Sequence, residues 1–165
     1  MASTAERIVK QILLNSPVAR VWHAIGDSQA FGSWFGMSLE GAFIAGKRLK
    51  AKIVPTAVDA EVAKQQEPYE GKTFDLFIER VEPMKRLSFR WHPYAVEPGV
   101  DYSDEPTTLV AFDLREAPGG TELTVTESGF DQIPLERRAK AFEMNEGGWA
   151  IQMRLIEKYL EGRAG

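Results

Sequence analysis

The sequence predicts an α+β domain in which an antiparallel β-sheet packs against one long C-terminal helix. Three observations indicate this class. Two short helical patterns follow a first strand, short alternating segments fill the middle of the chain, and one long amphipathic pattern closes it. The chain has 165 residues, without an internal repeat or a shift in composition. We therefore expect a single domain over residues 1–165.

The first predicted elements are a strand and two short helices. Ile8–Leu14 alternates in the manner of a half-buried strand. Ser16 can cap the helix that follows, since Pro17 suits the first helical position. Gly26 ends this helix, and Asp27 can cap a second one. The apolar side of the second helix would consist of Ala30, Phe31, Trp34 and Phe35.

The middle of the chain, residues 37–129, predicts about six strands that are joined mostly by short turns. The clearest alternations are Leu49/Ala51/Ile53, Leu87/Phe89/Trp91, Val110/Phe112/Leu114 and Leu123/Val125. Two longer connections interrupt the strands. Residues 55–72 are polar, and residues 93–106 carry four acidic side chains and no basic one. We expect the acidic connection to be a solvated lid; the alternative is that it steers a cationic partner.

The last predicted element is a helix from Pro134 to about Leu160. Its stripe follows steps of four and three residues and consists of Leu135, Ala139, Phe142, Glu146, Trp149, Met153, Ile156 and Leu160. A stripe of this kind has to be buried, and the sheet is the surface that can cover it.

Composition excludes several functions. The 24 acidic and 20 basic side chains give a net charge of −4, which argues against a nucleic-acid partner. The absence of cysteine excludes disulfides, thiolate zinc sites and a thiol nucleophile. The two histidines lack carboxylates at a ligand spacing and no phosphate-binding motif occurs, so neither a metal nor a cofactor is predicted. Because Ser28–Leu39 is the longest uncharged stretch and the start does not resemble a signal peptide, we expect a cytoplasmic protein without a membrane span.

Five short segments occur together in an order and spacing typical of one family. They are NSPVARVW (15–22), FGSWF (31–35), VEP followed by RLSFRW (81–83 and 86–91), TVTESGF (124–130) and GW (148–149). In these segments the sequence resembles the activator-of-heat-shock-protein-90-ATPase-like family, within the START-like superfamily that is also called SRPBCC or Bet v-like. The resemblance spans almost the whole chain.

The resemblance implies a helix-grip fold, in which a curved antiparallel sheet wraps around the long C-terminal helix and two short helices follow strand 1. It also implies a cavity between sheet and helix that holds lipids, sterols, polyketides or other hydrophobic molecules. The family has no shared catalytic residues, so the resemblance assigns none to this chain.

Glu127 is the first polar candidate for the predicted cavity. It shares strand parity with Leu123 and Val125, so a regular strand directs its side chain inward. A buried carboxyl group could orient a ligand or act as an acid or base. Two alternatives stay open: Glu127 lies at the open rim of the strand, or it forms a buried pair with an arginine such as Arg80.

Asn145 and Glu146 are the polar residues that interrupt the stripe of the last helix. One of them would face the interior, where an unpaired charge is expensive. That group could orient a polar atom of a ligand in an otherwise apolar pocket. In the alternative, the buried stripe ends at this point and Glu146 meets solvent or an arginine.

Large inward-facing side chains complete the predicted ligand-binding set. Ordinary core packing is the alternative for each of them, because aromatic stripes occur in any buried face. The full set is Trp34, Trp91, Phe112, Glu127, Phe142, Asn145, Glu146, Trp149 and Met153.

The leading hypothesis is a small-molecule binding domain that holds a hydrophobic or amphipathic ligand between the sheet and the C-terminal helix. The resemblance implies two alternatives: a co-chaperone-like domain that stimulates a chaperone ATPase, and an enzyme similar to polyketide cyclases and aromatases. In such an enzyme Glu127, Glu146, Tyr94 or Tyr102 would serve as acid or base. Superfamily members also dimerise, so a homodimer is a further possibility.

Overall fold

The computed structural model describes residues 7–97 and 99–162. Its strands are β1 (Arg7–Leu14), β2 (Met37–Leu39), β3 (Arg48–Ile53), β4 (Thr73–Glu82), β5 (Arg86–Trp91), β6 (Thr108–Ala117) and β7 (Gly120–Ser128). Its α-helices are α1 (Val18–Gly26), α2 (Ser28–Phe35), α3 (Ala60–Gln66) and α4 (Leu135–Gly162). Single 3-10 turns occupy Glu67–Tyr69 and Phe130–Gln132.

The described strands form one open, curved antiparallel sheet. Their order is β1-β7-β6-β5-β4-β3-β2. The first strand, β1, therefore lies at one edge of the sheet and pairs with the last strand, β7. The helices α1 and α2 connect the two edge strands β1 and β2. The long helix α4 contacts β1 and α2. This arrangement confirms the predicted α+β helix-grip fold.

The start of the chain follows the prediction with one exception. β1 alternates as expected, and the Asp27 side chain caps α2 by accepting a hydrogen bond from the Ala30 backbone N–H at 2.9 Å. The predicted Ser16 cap is wrong. The helix α1 begins at Val18, so Pro17 is the cap residue, with an extended backbone and no capping side chain. Ser16 lies outside the helix and is buried.

The polar connection 55–72 contains a helix that the sequence did not predict. Asp59 caps α3, because its Oδ1 accepts hydrogen bonds from the backbone N–H groups of Glu61 and Val62 at 2.9 and 3.0 Å. Its Oδ2 also accepts a hydrogen bond from Lys158 of α4 at 2.8 Å. These contacts hold α3 beside α4, and the hydrogen bond from Lys158 is the main reason why the pKa of Asp59 is lowered.

The buried face of α4 differs from the predicted stripe in the first half of the helix. Leu135 is 75% exposed and Ala139 is also exposed, so their predicted burial is wrong. Ala141 is fully buried instead. In the second half of the helix the prediction holds, because the following stripe residues are buried: Trp149, Met153, Ile156 and Leu160.

The shift of the buried face decides which polar residue of α4 faces inward. Ala141, Asn145 and Trp149 are separated by steps of four, so they lie on one helical face. Asn145 is accordingly half-buried. Glu146 lies about 100° further around the helix and is exposed. Its side chain therefore meets solvent, as in the second of the two alternatives that the sequence left open for Glu146.

An aromatic core fills the space between α2 and the sheet. Phe31 packs edge-on against the rings of Phe89 and Phe112, at centroid distances of 6.4 and 5.7 Å. All three side chains are fully buried. In the part of the chain that the structure describes, no helix is long and apolar enough to cross a membrane, and no cluster of side chains could hold a metal ion.

Candidate functional site

Glu127 lies at the centre of a buried hydrogen-bond network. Its side chain is fully buried. Oε2 accepts hydrogen bonds from the Trp91 indole Nε1 at 2.8 Å and from the Thr108 hydroxyl at 2.6 Å. Oε1 accepts one from the Trp149 indole Nε1 at 2.8 Å, and the Asn145 amide donates to both oxygens at 3.0 and 3.2 Å. Four neutral side chains thus replace the water that a carboxylate binds in solution.

Four structural elements bring these five side chains together. β7 directs Glu127 inward, as its strand parity predicts. Trp91 is the last residue of β5 and pairs directly with Thr108, the first residue of β6. Asn145 and Trp149 lie one helical turn apart on the buried side of α4. The network therefore joins the sheet to the middle of the long helix.

No basic side chain forms a salt bridge with Glu127 among the described residues. The alternative of a buried pair with Arg80 is wrong, because Arg80 is 64% exposed and lies 3.8 Å from Glu82. The rim alternative is also wrong, since Glu127 has no exposed surface. A buried carboxylate without a counterion is costly unless donors saturate both oxygens. The four donors supply the hydrogen bonds that a buried carboxylate needs in the absence of a counterion.

A cavity of about 220 Å³ lies beside this network, between the β3–β4 side of the sheet, α4 and the start of the 93–106 connection. We call it the aromatic cavity. Its ring-bearing wall consists of Phe35, Tyr69, Phe74, Trp91, His92 and Tyr94. Further polar groups of the wall are Gln66, Lys72, Thr73, Asn145 and Gln152. A mainly apolar wall with a few polar groups is typical of small-molecule sites.

Three further spaces adjoin the aromatic cavity, one smaller and two larger than the cavity itself. The inner recess, of about 150 Å³, is lined by Phe35, Trp91, Asn145, Gly148, Trp149 and Gln152. The α3–α4 groove, of about 440 Å³, runs over Gly147 and Gly148 and shares Gln66, Tyr69 and Gln152 with the aromatic cavity. The loop cleft, of about 570 Å³, is lined by residues 95–97 and 100–103 and shares Lys72, Thr73, Phe74, His92, Ala95 and Val96 with the aromatic cavity.

The Glu127 network and the aromatic cavity share side chains. Trp91 and Asn145 line the aromatic cavity while their N–H groups point to Glu127. Trp149 does the same in the inner recess. Glu127 itself lines none of these spaces. It lies behind the wall and fixes the orientation of the side chains that form it.

Arg137 of α4 attaches the 93–106 connection to the helix. Its guanidinium donates to the Glu105 carboxylate at 2.8 Å and to the Pro93 carbonyl at 2.9 Å. It also lies 4.8 Å from the centroid of the Tyr102 ring. The predicted solvated lid is therefore anchored in part, because a base from outside the connection pairs with one of its acids. This anchor holds Tyr94 against the aromatic cavity.

Tyr94 has two unusual properties. Its backbone φ is 49°, a left-handed conformation that few non-glycine residues adopt. Burial raises the pKa of its phenol, and the neighbouring Tyr69 hydroxyl and Glu97 carboxylate raise it further. Tyr94 therefore remains a neutral phenol in the cavity wall at neutral pH, where it can donate or accept a hydrogen bond.

The family model of the activator of Hsp90 ATPase homolog 1-like proteins matches residues 15–161. The chain belongs to this family. Among curated proteins, no sequence matches it.

Solved structures of other proteins share the fold of this family member. A protein from Mesorhizobium loti is 22% identical, with a TM-score of 0.70 over 96% of this chain and 99% of that one. The Aha1 dimer from Colwellia psychrerythraea is 16% identical, with a TM-score of 0.65 over 96% and 98%. DynU16, a protein in the dynemicin biosynthetic locus, is 25% identical with a TM-score of 0.65 over 94% of this chain. This chain matches 47% of the length of DynU16.

The structure distributes the nine predicted ligand-binding residues over four places. Trp91 and Asn145 line both the aromatic cavity and the inner recess, and Trp149 lines the recess. Glu127 lies behind this wall, and Glu146 faces solvent. The others pack elsewhere: Trp34, Phe112 and Met153 are buried in the core, and Phe142 packs edge-on against Phe130 at 5.1 Å.

Several residues of the cavity wall were not predicted from the sequence. Phe74 alternates with two buried residues of β4, and this pattern could have placed it on the inner face. Gln152 follows Asn145 by seven residues, a spacing that predicts the same helical face. No local pattern indicates Tyr69, because it belongs to the connection in which the short helix α3 was not predicted.

Proposed function

We propose that this family member binds a small aromatic or amphipathic molecule in the aromatic cavity. The observation that carries the proposal is that the cavity wall is held from behind: Trp91 and Asn145 are fixed by hydrogen bonds to a buried Glu127. A site whose walls are oriented before binding loses less conformational entropy when the ligand arrives.

The size of the aromatic cavity limits the ligand. Its volume of about 220 Å³ is below the range of roughly 300–1,000 Å³ for sites that hold drug-sized molecules. A molecule of one or two fused rings suits it, and a longer ligand would extend into the loop cleft or the α3–α4 groove. Large ligands such as sterols would need both the cavity and a neighbouring space.

The comparison with DynU16 agrees with a role in small-molecule chemistry. That protein lies in a biosynthetic locus, and its fold covers 94% of this chain. For the present chain we propose binding rather than catalysis. Of the proposed acids and bases, Glu127 has both oxygens engaged by donors, and the side chain of Glu146 is exposed to solvent.

The proposal can be tested with 2-naphthol, a two-ring probe of suitable size, by isothermal titration calorimetry. The variant Ile53→Trp would fill the cavity from β3, where Ile53 lines the wall and shares the strand parity of the buried Leu49 and Ala51. Thr126→Trp is the matched control, because Thr126 lies on β7 with the parity opposite to Glu127 and lines none of the described spaces. We expect saturable binding to the wild type and to Thr126→Trp, and binding at least roughly tenfold weaker to Ile53→Trp.

Two results would contradict the proposal. One is the absence of saturable heat with the wild type, provided that native mass spectrometry of gently purified protein also shows no bound small molecule. The other is equal affinity in the two tryptophan variants, which would place binding outside the aromatic cavity.

The alternatives from the sequence stay predictions with their own measurements. Stimulation of a chaperone ATPase by the purified chain would support a co-chaperone role. A probe molecule that is recovered chemically changed would support an enzyme, with Tyr94 in the cavity wall as the candidate acid. Size-exclusion chromatography with light scattering would test a homodimer, the assembly named for the Colwellia psychrerythraea relative.

A further inference from the structure

The side chain of Gln152 has a buried acceptor without a partner. Its Nε2 donates a hydrogen bond to the Phe35 backbone carbonyl at 3.0 Å. Its Oε1 is buried and accepts no hydrogen bond in the described structure. The whole residue is 9% exposed. A buried acceptor is normally paired with a protein donor, a water molecule or a ligand, so the unpaired oxygen calls for an explanation.

The position of Gln152 connects this oxygen to the proposed site. The residue lines the aromatic cavity, the inner recess and the α3–α4 groove. Aromatic rings flank it in two of these spaces, since Phe35 and Trp91 line both the cavity and the recess. A molecule that crosses from the cavity into the recess passes this side chain.

The hydrogen bonds around Phe35 fix which end of the Gln152 amide is the acceptor. The Phe35 carbonyl also accepts a hydrogen bond from Gln66 Nε2 at 3.1 Å. Reversing the Gln152 amide would bring its oxygen against this carbonyl, which is unfavourable because both atoms are acceptors. The Gln66 amide differs, because its Oε1 is paired with the Thr56 backbone N–H at 2.7 Å. The last torsion of a glutamine side chain is soft, so a small rotation can present Gln152 Oε1 to a donor in the cavity.

We propose that Gln152 selects for aromatic ligands that carry an O–H or N–H donor, such as a phenol-type hydroxyl. This inference rests on the ligand-binding function proposed above and specifies the chemical class of the ligand. A donor-bearing ring would pair Oε1, whereas a ring without a donor would leave the buried oxygen unpaired and lose that hydrogen bond. Sites of this kind reject analogues that lack the donor.

A matched pair of probes tests the selection. 2-Naphthol carries a hydroxyl donor, and 2-methoxynaphthalene has the same rings with a methyl group in place of the hydroxyl hydrogen. We expect the wild type to bind 2-naphthol on the order of tenfold more tightly, the effect of about one hydrogen bond. In Gln152→Met, which has a similar length and no strong acceptor, this ratio should fall to about one.

The control variant is Gln65→Met. Gln65 is an exposed glutamine that lines the same α3–α4 groove and should keep the wild-type ratio. Thermal unfolding identifies a variant that fails to fold; in that event Gln152→Leu, a smaller apolar replacement, takes the place of Gln152→Met.

Each outcome has a distinct meaning. Equal affinity of the wild type for both probes would overturn the inference while leaving the proposed function intact, because the ligand would then make no hydrogen bond that depends on its donor. A ratio that persists in Gln152→Met would also overturn it. Failure of the wild type to bind either probe would contradict the proposed function itself, and the inference with it.

Discussion

The centroids of the Trp91 and Trp149 indole rings lie 5.9 Å apart, and the angle between the ring planes is 31°. The rings are close because both indole N–H groups donate to one carboxylate, that of Glu127. Trp91 donates to Oε2 of Glu127 and Trp149 donates to Oε1. One ring belongs to the sheet and the other to α4. The carboxylate thus sets the relative position of sheet and helix at the point where the aromatic cavity and the inner recess meet.

Replacing Glu127 with glutamine should destabilise the protein. An amide nitrogen in place of one carboxylate oxygen would face donors that have no other partner among these side chains. We expect the free energy of unfolding to fall by about 1–3 kcal/mol, measured by urea denaturation. Glu146→Gln is the control, because Glu146 is exposed, and should change stability by less than about 0.5 kcal/mol. Equal effects of the two substitutions would show that the buried network does not stabilise the fold.

Replacing Arg137 with alanine should release the 93–106 connection. The variant loses the ion pair with Glu105 and the hydrogen bond to the Pro93 carbonyl. If the free energy of local opening falls by about 1–2 kcal/mol, amide hydrogen exchange in this connection becomes roughly tenfold faster. Arg138→Ala is the control, since Arg138 donates to the carbonyls of Asp131 and Ile133 and not to the connection. Unchanged exchange in Arg137→Ala would mean that other contacts anchor the connection.

Gly147 and Gly148 offer a test of the space beside α4. Both lie inside the helix, and a Cβ atom at either position would meet no atom within 4 Å. Alanine at each position should therefore raise the free energy of unfolding by about 0.5–1 kcal/mol, measured by urea denaturation. Gly148 lines both the inner recess and the α3–α4 groove, whereas Gly147 lines the α3–α4 groove only. We expect the added methyl group to weaken 2-naphthol binding in Gly148→Ala and to leave it unchanged in Gly147→Ala. A lower free energy of unfolding for Gly148→Ala would contradict the prediction, because it would show that the recess has no room for a methyl group.

The pKa of Tyr94 gives a prediction for alkaline pH. Burial raises this pKa in the folded protein, so the neutral phenol contributes stability below the ordinary tyrosine pKa of 10.0. That contribution is lost as the pH rises through the folded value. Absorbance titration should show a late tyrosine ionisation step, above the ordinary tyrosine pKa of 10.0, and this late step should disappear in Tyr94→Phe. It should persist in Tyr102→Phe; if it does not, the late step belongs to Tyr102.

Much of the fold could be predicted because its signals are periodic. The strand parity of Glu127 and the alternation of β5 to β7 follow from the period of two along a strand. The short helix α3 was missed because it has no buried residue, and so no apolar stripe marks it. The predicted buried face of α4 was wrong at Leu135, because this apolar residue fits the helical period but is exposed to solvent.

The site itself could be predicted only in part. Parity indicated that Glu127 points inward, but its partners come from β5, β6 and α4, and their meeting depends on strand pairing that no local pattern encodes. Trp91 and Trp149 were predicted as cavity residues because they lie on the apolar faces of their strand and helix. Their hydrogen bonds to the carboxylate, which explain their orientation, were visible only in the structure.

The most direct test of the central claim uses the four tryptophan side chains of the protein as separate reporters. A ¹H–¹⁵N spectrum of the indole N–H groups would be recorded during titration with 2-naphthol. We expect saturable shifts of the Trp91 and Trp149 signals, because these side chains line the cavity and the recess, and unchanged signals of Trp22 and Trp34. A saturable shift confined to Trp22 or Trp34, or no saturable shift at all, would contradict binding in the aromatic cavity.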